Sequence, residues 1–325
     1  VAFVLRRLLH ALFVLWAVVT LCFLMFRLMP GDPTLNYIEP TMTEEARQSM
    51  LQSFGLDRPL HEQYVIYLIN LLKGQLGDSF LQGRPVAGIV IEALPNTVVL
   101  TLIALILAYA FGVVAGAWLA WKRGTVAEGI AIPLVLTTRA APEFWLGMLM
   151  LAVFAFGLGW FPSGGAASAG AEFGSEAARY LSADFLHHLV LPAATLAVYL
   201  QGLPLLLMRS TMLEVMGDEF VTMARMKGLS EWTIVIRHAA RNALLPVATA
   251  FALGVGGSVG GNVVIETVFS WPGLGRTLVT AVQGADYPLA QGAFLLIAAV
   301  LVGMNLVADL LYSWLDPRVS HGRKG

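Results

Sequence analysis

Residues 217–246 read GDEFVTMARMKGLSEWTIVIRHAARNALLP, a polar stretch set between two long apolar segments. It is the densest basic cluster in a charge-poor chain, with Arg225, Lys227, Arg237, Arg241 and His238 against Asp218, Glu219 and Glu231. Glu219, Met223, Ala224, Met226 and Lys227 form helices well, and Gly228 interrupts them. The spacing predicts a short amphipathic helix, a turn at Gly228-Leu229-Ser230, and a second helix that runs into the next apolar segment. Held between membrane helices on the basic side, such a segment suits the docking of a soluble partner.

Working outward, composition fixes the class. Of 325 residues, 58% are hydrophobic and 13% charged, with a mean hydropathy of +0.74. A soluble domain carries about a quarter charged residues. The glycines lie mostly inside apolar segments, where membrane helices tolerate them. Cys22 is the sole cysteine, which excludes an intrachain disulfide and a multi-cysteine metal site. Nothing points to nucleic acid. The expected class is an all-α polytopic membrane protein.

Six apolar segments are expected, at about residues 8–28, 95–121, 130–156, 188–208, 243–264 and 287–311. The first follows Arg6-Arg7 and stays apolar through Met29 without a small-residue cleavage pattern, so it reads as a retained helix. The third should be kinked at Pro133 and Pro142. Arg139 and Glu143, four apart on it, should share a face and form a salt bridge. Residues 30–93 read as a small helical lobe, with helices at 43–55 and 62–72. Twelve basic residues fall on one side: Arg6, Arg7, Lys122, Arg123, Arg209, Arg225, Lys227, Arg237, Arg241, Arg318, Arg323 and Lys324. The opposite loops hold six, namely Arg47, Arg58, Lys73, Arg84, Arg179 and Arg276. The positive-inside rule then places both termini and the 209–242 loop in the cytoplasm, and the lobe outside.

No catalytic constellation is convincing. A phosphate-binding Gly-x-x-x-x-Gly-Lys-Ser/Thr loop is missing, so ATP hydrolysis is not expected of this chain, and there is no His-Glu-x-x-His. His187 and His188 are adjacent, point in different directions on a helix, and read as surface or interfacial residues. Ser163 has no indicated base. A pore or gate is the expected role.

The run Thr222-Met223-Ala224-Arg225-Met226-Lys227-Gly228-Leu229-Ser230, then Arg237-His238-Ala239, then Arg241-Asn242-Ala243-Leu244-Leu245-Pro246, resembles the cytoplasmic loop of ABC importer permeases. More narrowly it resembles the dipeptide, oligopeptide and nickel permease family. Many importers open this loop with Glu-Ala-Ala; here Phe220, Thr222 and Ala224 lie in that region. The likeness extends to residues 27–33 (RLMPGDP), 56–64, 74–79 (GQLGDS), 266–275 (ETVFSWPGLG), 286–288, 309–312 and 315–318. The long region after the first helix is more similar to the first of that family's two permeases than to the second.

The resemblance implies a type I ABC importer permease fold with six transmembrane helices and a small extracytoplasmic helical lobe. It divides the chain into an N-terminal helix (1–29), the lobe (30–93), a core (94–315) containing a coupling loop (210–242), and a cytoplasmic tail (316–325). Glu219, Thr222, Ala224, Arg225, Lys227, Gly228 and Leu229 would meet an ATPase subunit, supported by Arg237, His238, Arg241, Leu245 and Pro246. Gly254, Gly256, Gly257, Gly260 and Gly261 are candidates for close packing or a gate. Trp271, Pro272, Gly273, Asp286 and Tyr287 are candidate outer-loop contacts. Helix capping by Asp286 and aromatic belting are the plainer alternatives.

The implied partners are a homologous second permease, two ATPase subunits (or a fused pair), an extracytoplasmic substrate-binding protein and membrane lipid. ATP and Mg would bind the ATPases, with no cofactor or metal on this chain. Peptides are the implied substrates, with nickel complexes, glutathione or opines as minor options, and the bacterial inner membrane is the implied location. The scarcity of charge in segments two, four, five and six suggests a pathway lined by backbone and small residues. A secondary transporter driven by an ion gradient, and a scaffold without flux, are the rival classes. The first would want a buried ionisable network and often a repeat; only Arg139, Glu143 and Asp309 come near.

Overall fold

The computed structural model describes residues 2–28, 58–258 and 262–315, with side chains over 5–27, 58–255 and 262–307. Among these the chain is helical, with one isolated bridge between Asp78 and Pro85. Helix α1 spans Ala2–Leu28, and α2 spans Leu60–Leu72. The expected lobe helix at 43–55 and the tail at 316–325 lie outside the described residues. Helix α2 does not stand free. Its Tyr64 and Tyr67 rings pack on Phe23 of α1 at 5.2 and 5.5 Å, and the Tyr64 hydroxyl lies 2.6 Å from the Thr20 hydroxyl.

Helix α3, Val86–Trp121, is the central strut, with 36 residues. Pro85 precedes it with φ −56°, which suits a helix start. At about 1.5 Å per residue it is longer than a hydrocarbon core about 30 Å thick, so one end projects. Its closest neighbour is α8, Gly202–Val215. Gly112 and Gly116 make that approach possible. A Cβ at Gly112 would stand 2.9 Å from the Leu205 nitrogen, and one at Gly116 would collide with the Leu205 carbonyl. This Gly-x-x-x-Gly pair was not singled out from the sequence, which pointed to the glycines near 254–261. Of those, Gly254 makes ordinary contact, 3.5 Å from the Tyr109 hydroxyl. Gly256 and Gly257 lie in a helix without described surroundings, and Gly260 and Gly261 lie outside the described residues.

The third apolar segment is broken, not merely kinked. Helix α4, Val126–Ala140, and helix α5, Glu143–Met150, meet at 106°, and α5 continues in wide π-helical turns over Leu151–Gly157. Ala141 is extended, with ψ 142°, because a following proline disfavours the helical basin. Arg139 and Glu143 therefore do not share a helix face, and the expected salt bridge is absent among the described residues. Glu143 instead accepts a hydrogen bond from the Asn262 amide.

Short α6, Glu176–Leu181, leads into α7, Ala183–Leu200, which starts five residues earlier than expected. Ser182 caps it, accepting from the Phe185 N–H at 3.1 Å. His188 is buried, against the surface reading, with Nδ1 2.8 Å from the Asp184 carbonyl. Beyond α8 come α9, Glu219–Met226; α10, Glu231–Thr233, widening into π turns over Ile234–Ala240; and α11, Arg241–Ser258. The turn expected to face outward, called the outer turn below, carries α12, Val263–Val268, and α13, Leu274–Gln283, before α14, Tyr287–Leu315.

Among the described residues, four helices are long and apolar enough to cross a membrane: Leu5–Arg27, Val86–Trp121, Ala183–Leu200 and Tyr287–Val307. The bent pair makes five. Among the described residues, length and composition thus give four or five of the six expected crossings.

Candidate functional site

Helix α9 has only eight residues, too few to be stable alone in water. Docking makes it persist. Val221 and Ala224 turn inward onto buried Ile234 and the flank of Met216. Ile234 is fully buried, and Val235, Ala239 and Ala243 continue the seam against Met208 and Met212 of α8. The short helix is thereby fixed to a long one.

The turn after α9 depends on Gly228, whose φ is +74°. No atom lies within 4 Å of a Cβ placed there, so backbone conformation rather than space requires glycine. The turn is closed by the Gly228 N–H donating to the Arg225 carbonyl at 2.9 Å and the Leu229 N–H to Ala224 at 3.3 Å. Across it the Arg225 Nε donates to Glu231 at 2.9 Å. Both side chains are exposed, so this pair contributes about 0–1 kcal/mol.

The exposed side of this amphipathic helix is largely apolar. Phe220 is 39%, Met223 61% and Met226 81% exposed, and Leu229 and Trp232 extend the ridge. Glu219, Thr222, Arg225 and Lys227 stand between and beside them, also exposed. An apolar ridge with a charged rim has the make-up of a protein-binding patch. Trp232 also meets Trp121 at the end of α3, at 6.0 Å between rings, with the Lys122 ammonium 4.6 Å from the Trp121 ring. Arg237, Arg241, Leu245 and Pro246 are exposed along the following turns, and His238 is half-buried. Ala224, grouped with the partner-facing residues by its position in the sequence, is buried here.

One link was missed because its partners are 81 positions apart. Arg209 of α8 donates to Glu128 of α4 through Nε at 2.8 Å and through Nη2. The other Glu128 oxygen accepts the Gly124 N–H at 2.7 Å. A load on α9 is thus shared by α8, the turn after α3, and α4.

The outer turn is built the opposite way. Glu266 is fully buried. Its carboxylate accepts from the Thr97 hydroxyl at 2.7 Å and the Arg276 N–H at 3.0 Å, and from the Gly275 N–H at the start of α13. Burial nonetheless lifts this carboxyl above the usual carboxylate range, against the pull of those donors. Gly273 is required by crowding, since a Cβ would lie 2.5 Å from the Glu266 carboxyl. Trp271 is fully buried and donates through Nε1 to the Asn96 carbonyl at 3.0 Å. The Asn96 amide donates to Pro272 at 2.8 Å and accepts from Arg179 at 2.9 Å.

Asp286 is likewise buried, accepting from the Ser79 hydroxyl at 2.5 Å, the Leu81 N–H at 3.0 Å and the Leu289 N–H at 3.2 Å. It thereby caps α14 and ties the 77–85 turn to it. Pro272 is exposed, and Tyr287 is half-buried against Phe26 at 6.0 Å. Among these candidate outer contacts, Trp271, Gly273 and Asp286 are buried and Pro272 faces outward. Glu266, Asn96 and Thr97 were not singled out from the sequence; a lone acid within an apolar run was the available signal.

Apolar spans, a docked short helix with an open ridge, and a buried polar outer turn define a multi-pass helical membrane protein of the permease class. Residues 112–321 match the family described as binding-protein-dependent transport system inner membrane component, and residues 1–101 match its N-terminal counterpart. The chain belongs to this family, whose fold is that of the type I importer permeases. It is 35% identical over 323 residues to the oligopeptide transport system permease protein AppB of Bacillus subtilis, covering 98% of this chain and 99% of the relative. It is 36% identical to the di/tripeptide transport system permease protein DppB of Pseudomonas aeruginosa, covering 99% of each. It is 34% identical to the glutathione transport system permease protein GsiC of Salmonella choleraesuis, over 98% of this chain and 99% of that one.

Proposed function

We propose that this chain is one of two permease subunits of an ATP-driven peptide importer in the bacterial inner membrane, with both termini in the cytoplasm. The observation that carries the coupling role is the exposed ridge Phe220, Met223, Met226, Leu229 and Trp232, mounted on α8 through buried Val221, Ala224 and Ile234. An ATPase subunit on each permease would seat this ridge in a cleft, with Arg225 and Lys227 meeting acidic or carbonyl groups at its rim. ATP and Mg would be held on the ATPases, and this chain would supply half the conduit and no covalent chemistry. Specificity would rest largely on an extracytoplasmic binding protein. Peptides are favoured by the relatives named for oligopeptides and di/tripeptides, and glutathione is itself a tripeptide.

The test is reconstitution of the assembled complex in vesicles with and without enclosed ATP. Uptake of a labelled peptide should require ATP and survive collapse of ion gradients. Replacing Met223 and Met226 together with Glu should release the ATPase in a pull-down and abolish uptake, while the two permeases stay associated. Uptake that followed an ion gradient without any ATPase would overturn the reading in favour of a secondary transporter.

A further inference from the structure

The break between α4 and α5 carries a charged group where an apolar span has no use for one. An upright helix climbs about 1.5 Å per residue, so Arg139 stands about 20 Å beyond Val126, inside a hydrocarbon core about 30 Å thick. Arg139 is exposed and has no ion pair or hydrogen bond among the described residues. Its nearest acid in sequence, Glu143, is occupied by the Asn262 amide, whose carbonyl oxygen caps α12 by accepting the Ile265 N–H at 3.1 Å. The Arg139 stem is seated on Gly202; a Cβ there would lie 3.3 Å from Arg139 Cδ and 3.6 Å from Val135. The guanidinium is therefore placed by packing and left without a counter-charge.

The backbone tells the same story. The 106° bend leaves the chain non-helical at Ala141 and Pro142, and Arg139, Ala140 and Pro142 are all exposed. Irregular backbone at membrane depth is tolerated against protein or in a water-filled cavity, not against lipid. An ionised arginine obeys the same limit. This face of the span consequently turns to protein or to water rather than to lipid.

Resting on the peptide-permease reading above, we propose that Arg139 is a substrate contact in the conduit, receiving the terminal carboxylate of the passing peptide. Guanidinium matches carboxylate with two parallel donors. Peptides of unlike side chains share that terminal group, so one cation serves many sequences. Segments two, four, five and six are poor in charge, so the pathway combines a mostly neutral lining with one cationic point.

The experiment uses the assembled importer in vesicles, with Arg139→Cys introduced on a Cys22→Ala background; Cys22 is buried and is the only native cysteine. A water-soluble thiosulfonate carrying a quaternary ammonium should label the introduced thiol, and trialanine should slow that labelling during turnover. Unmodified Arg139→Cys should import trialanine about tenfold more slowly than wild type, as loss of a charged hydrogen-bond donor predicts. The ammonium reagent should restore part of the rate, and a sulfonate reagent should not. Absence of labelling would place Arg139 against lipid or the second permease. Labelling without protection by trialanine, or equal rates with either reagent, would also overturn the proposal. Wild-type vesicles that import no peptide at all would instead sink the peptide-importer reading itself.

Discussion

The two polar regions at opposite ends of this molecule handle their charges in opposite ways. In the outer turn, Glu266, Asp286, Asn96 and the Trp271 indole are buried and each meets donors or acceptors within the chain. At α9 the polar and large apolar groups face outward, and two residues plus Ile234 do the anchoring. Polar groups closed on themselves fix a shape. Polar groups left open beside an apolar ridge have the make-up of a protein-binding patch, which the proposed function uses as a handle. The same type of sequence, a dozen mixed residues between apolar runs, yields a closed network in one place and an open ridge in the other.

That contrast breaks if the outer turn proves dispensable for folding. Glu266→Ala strands the Thr97 hydroxyl and the backbone donors of Gly275 and Arg276 in a buried site, at a cost of about 3 kcal/mol or more. The purified protein should melt far lower or fail to accumulate; near-wild-type melting would show that water replaces the carboxylate freely. Gly116→Leu should come next, costing about 2–3 kcal/mol by prying α3 from α8, read as loss of thermal stability in detergent.

At the handle the effects should separate. Gly228→Val places a branched side chain at φ +74°, costing about 1–2 kcal/mol locally. Uptake should fall at least about tenfold while the two permeases still co-purify. Equal loss of assembly and uptake would make α9 a structural element rather than a handle. Arg225→Ala should shift the melting free energy by about 0.5 kcal/mol or less, since its partner Glu231 is exposed too. A much larger shift would mean that the ridge is held from within.

The smallest expected effect concerns pH. Because burial lifts the Glu266 carboxyl above its ordinary 4.5, the folded chain keeps a proton that the unfolded chain has already lost across the interval between the two values. Stability should therefore decline as pH rises through that interval and be level on either side. Glu266→Gln should flatten the slope in melting curves, and an unchanged slope would assign the titration elsewhere.

Part of this region was legible in the sequence. Gly228 as helix stop and the turn at Gly228-Leu229-Ser230 follow from local rules that need only neighbours in sequence, while the Ser230 side chain capping the second helix was not read there. The ridge itself was half visible. An amphipathic helix holding Met223 and Met226 follows from the spacing, but the inward turn of Ala224, grouped by sequence with the partner-facing residues, depends on Ile234 packing across the turn. The third span shows the limit more sharply. Four-residue spacing put Arg139 and Glu143 on one face of one helix, and Pro142 removed that helix.

What the sequence determined by itself was whatever rests on composition and near neighbours: the apolar segments, the uneven distribution of Lys and Arg, the turn at Gly228 and the family. Tertiary structure alone decided which polar groups are spent inside the fold. Glu266 meets Thr97 across 169 positions, Asp286 meets Ser79 across 207, and Gly116 admits α8 against α3. Such pairings are set by how helices pack in three dimensions, and no local pattern encodes a partner that far along the chain.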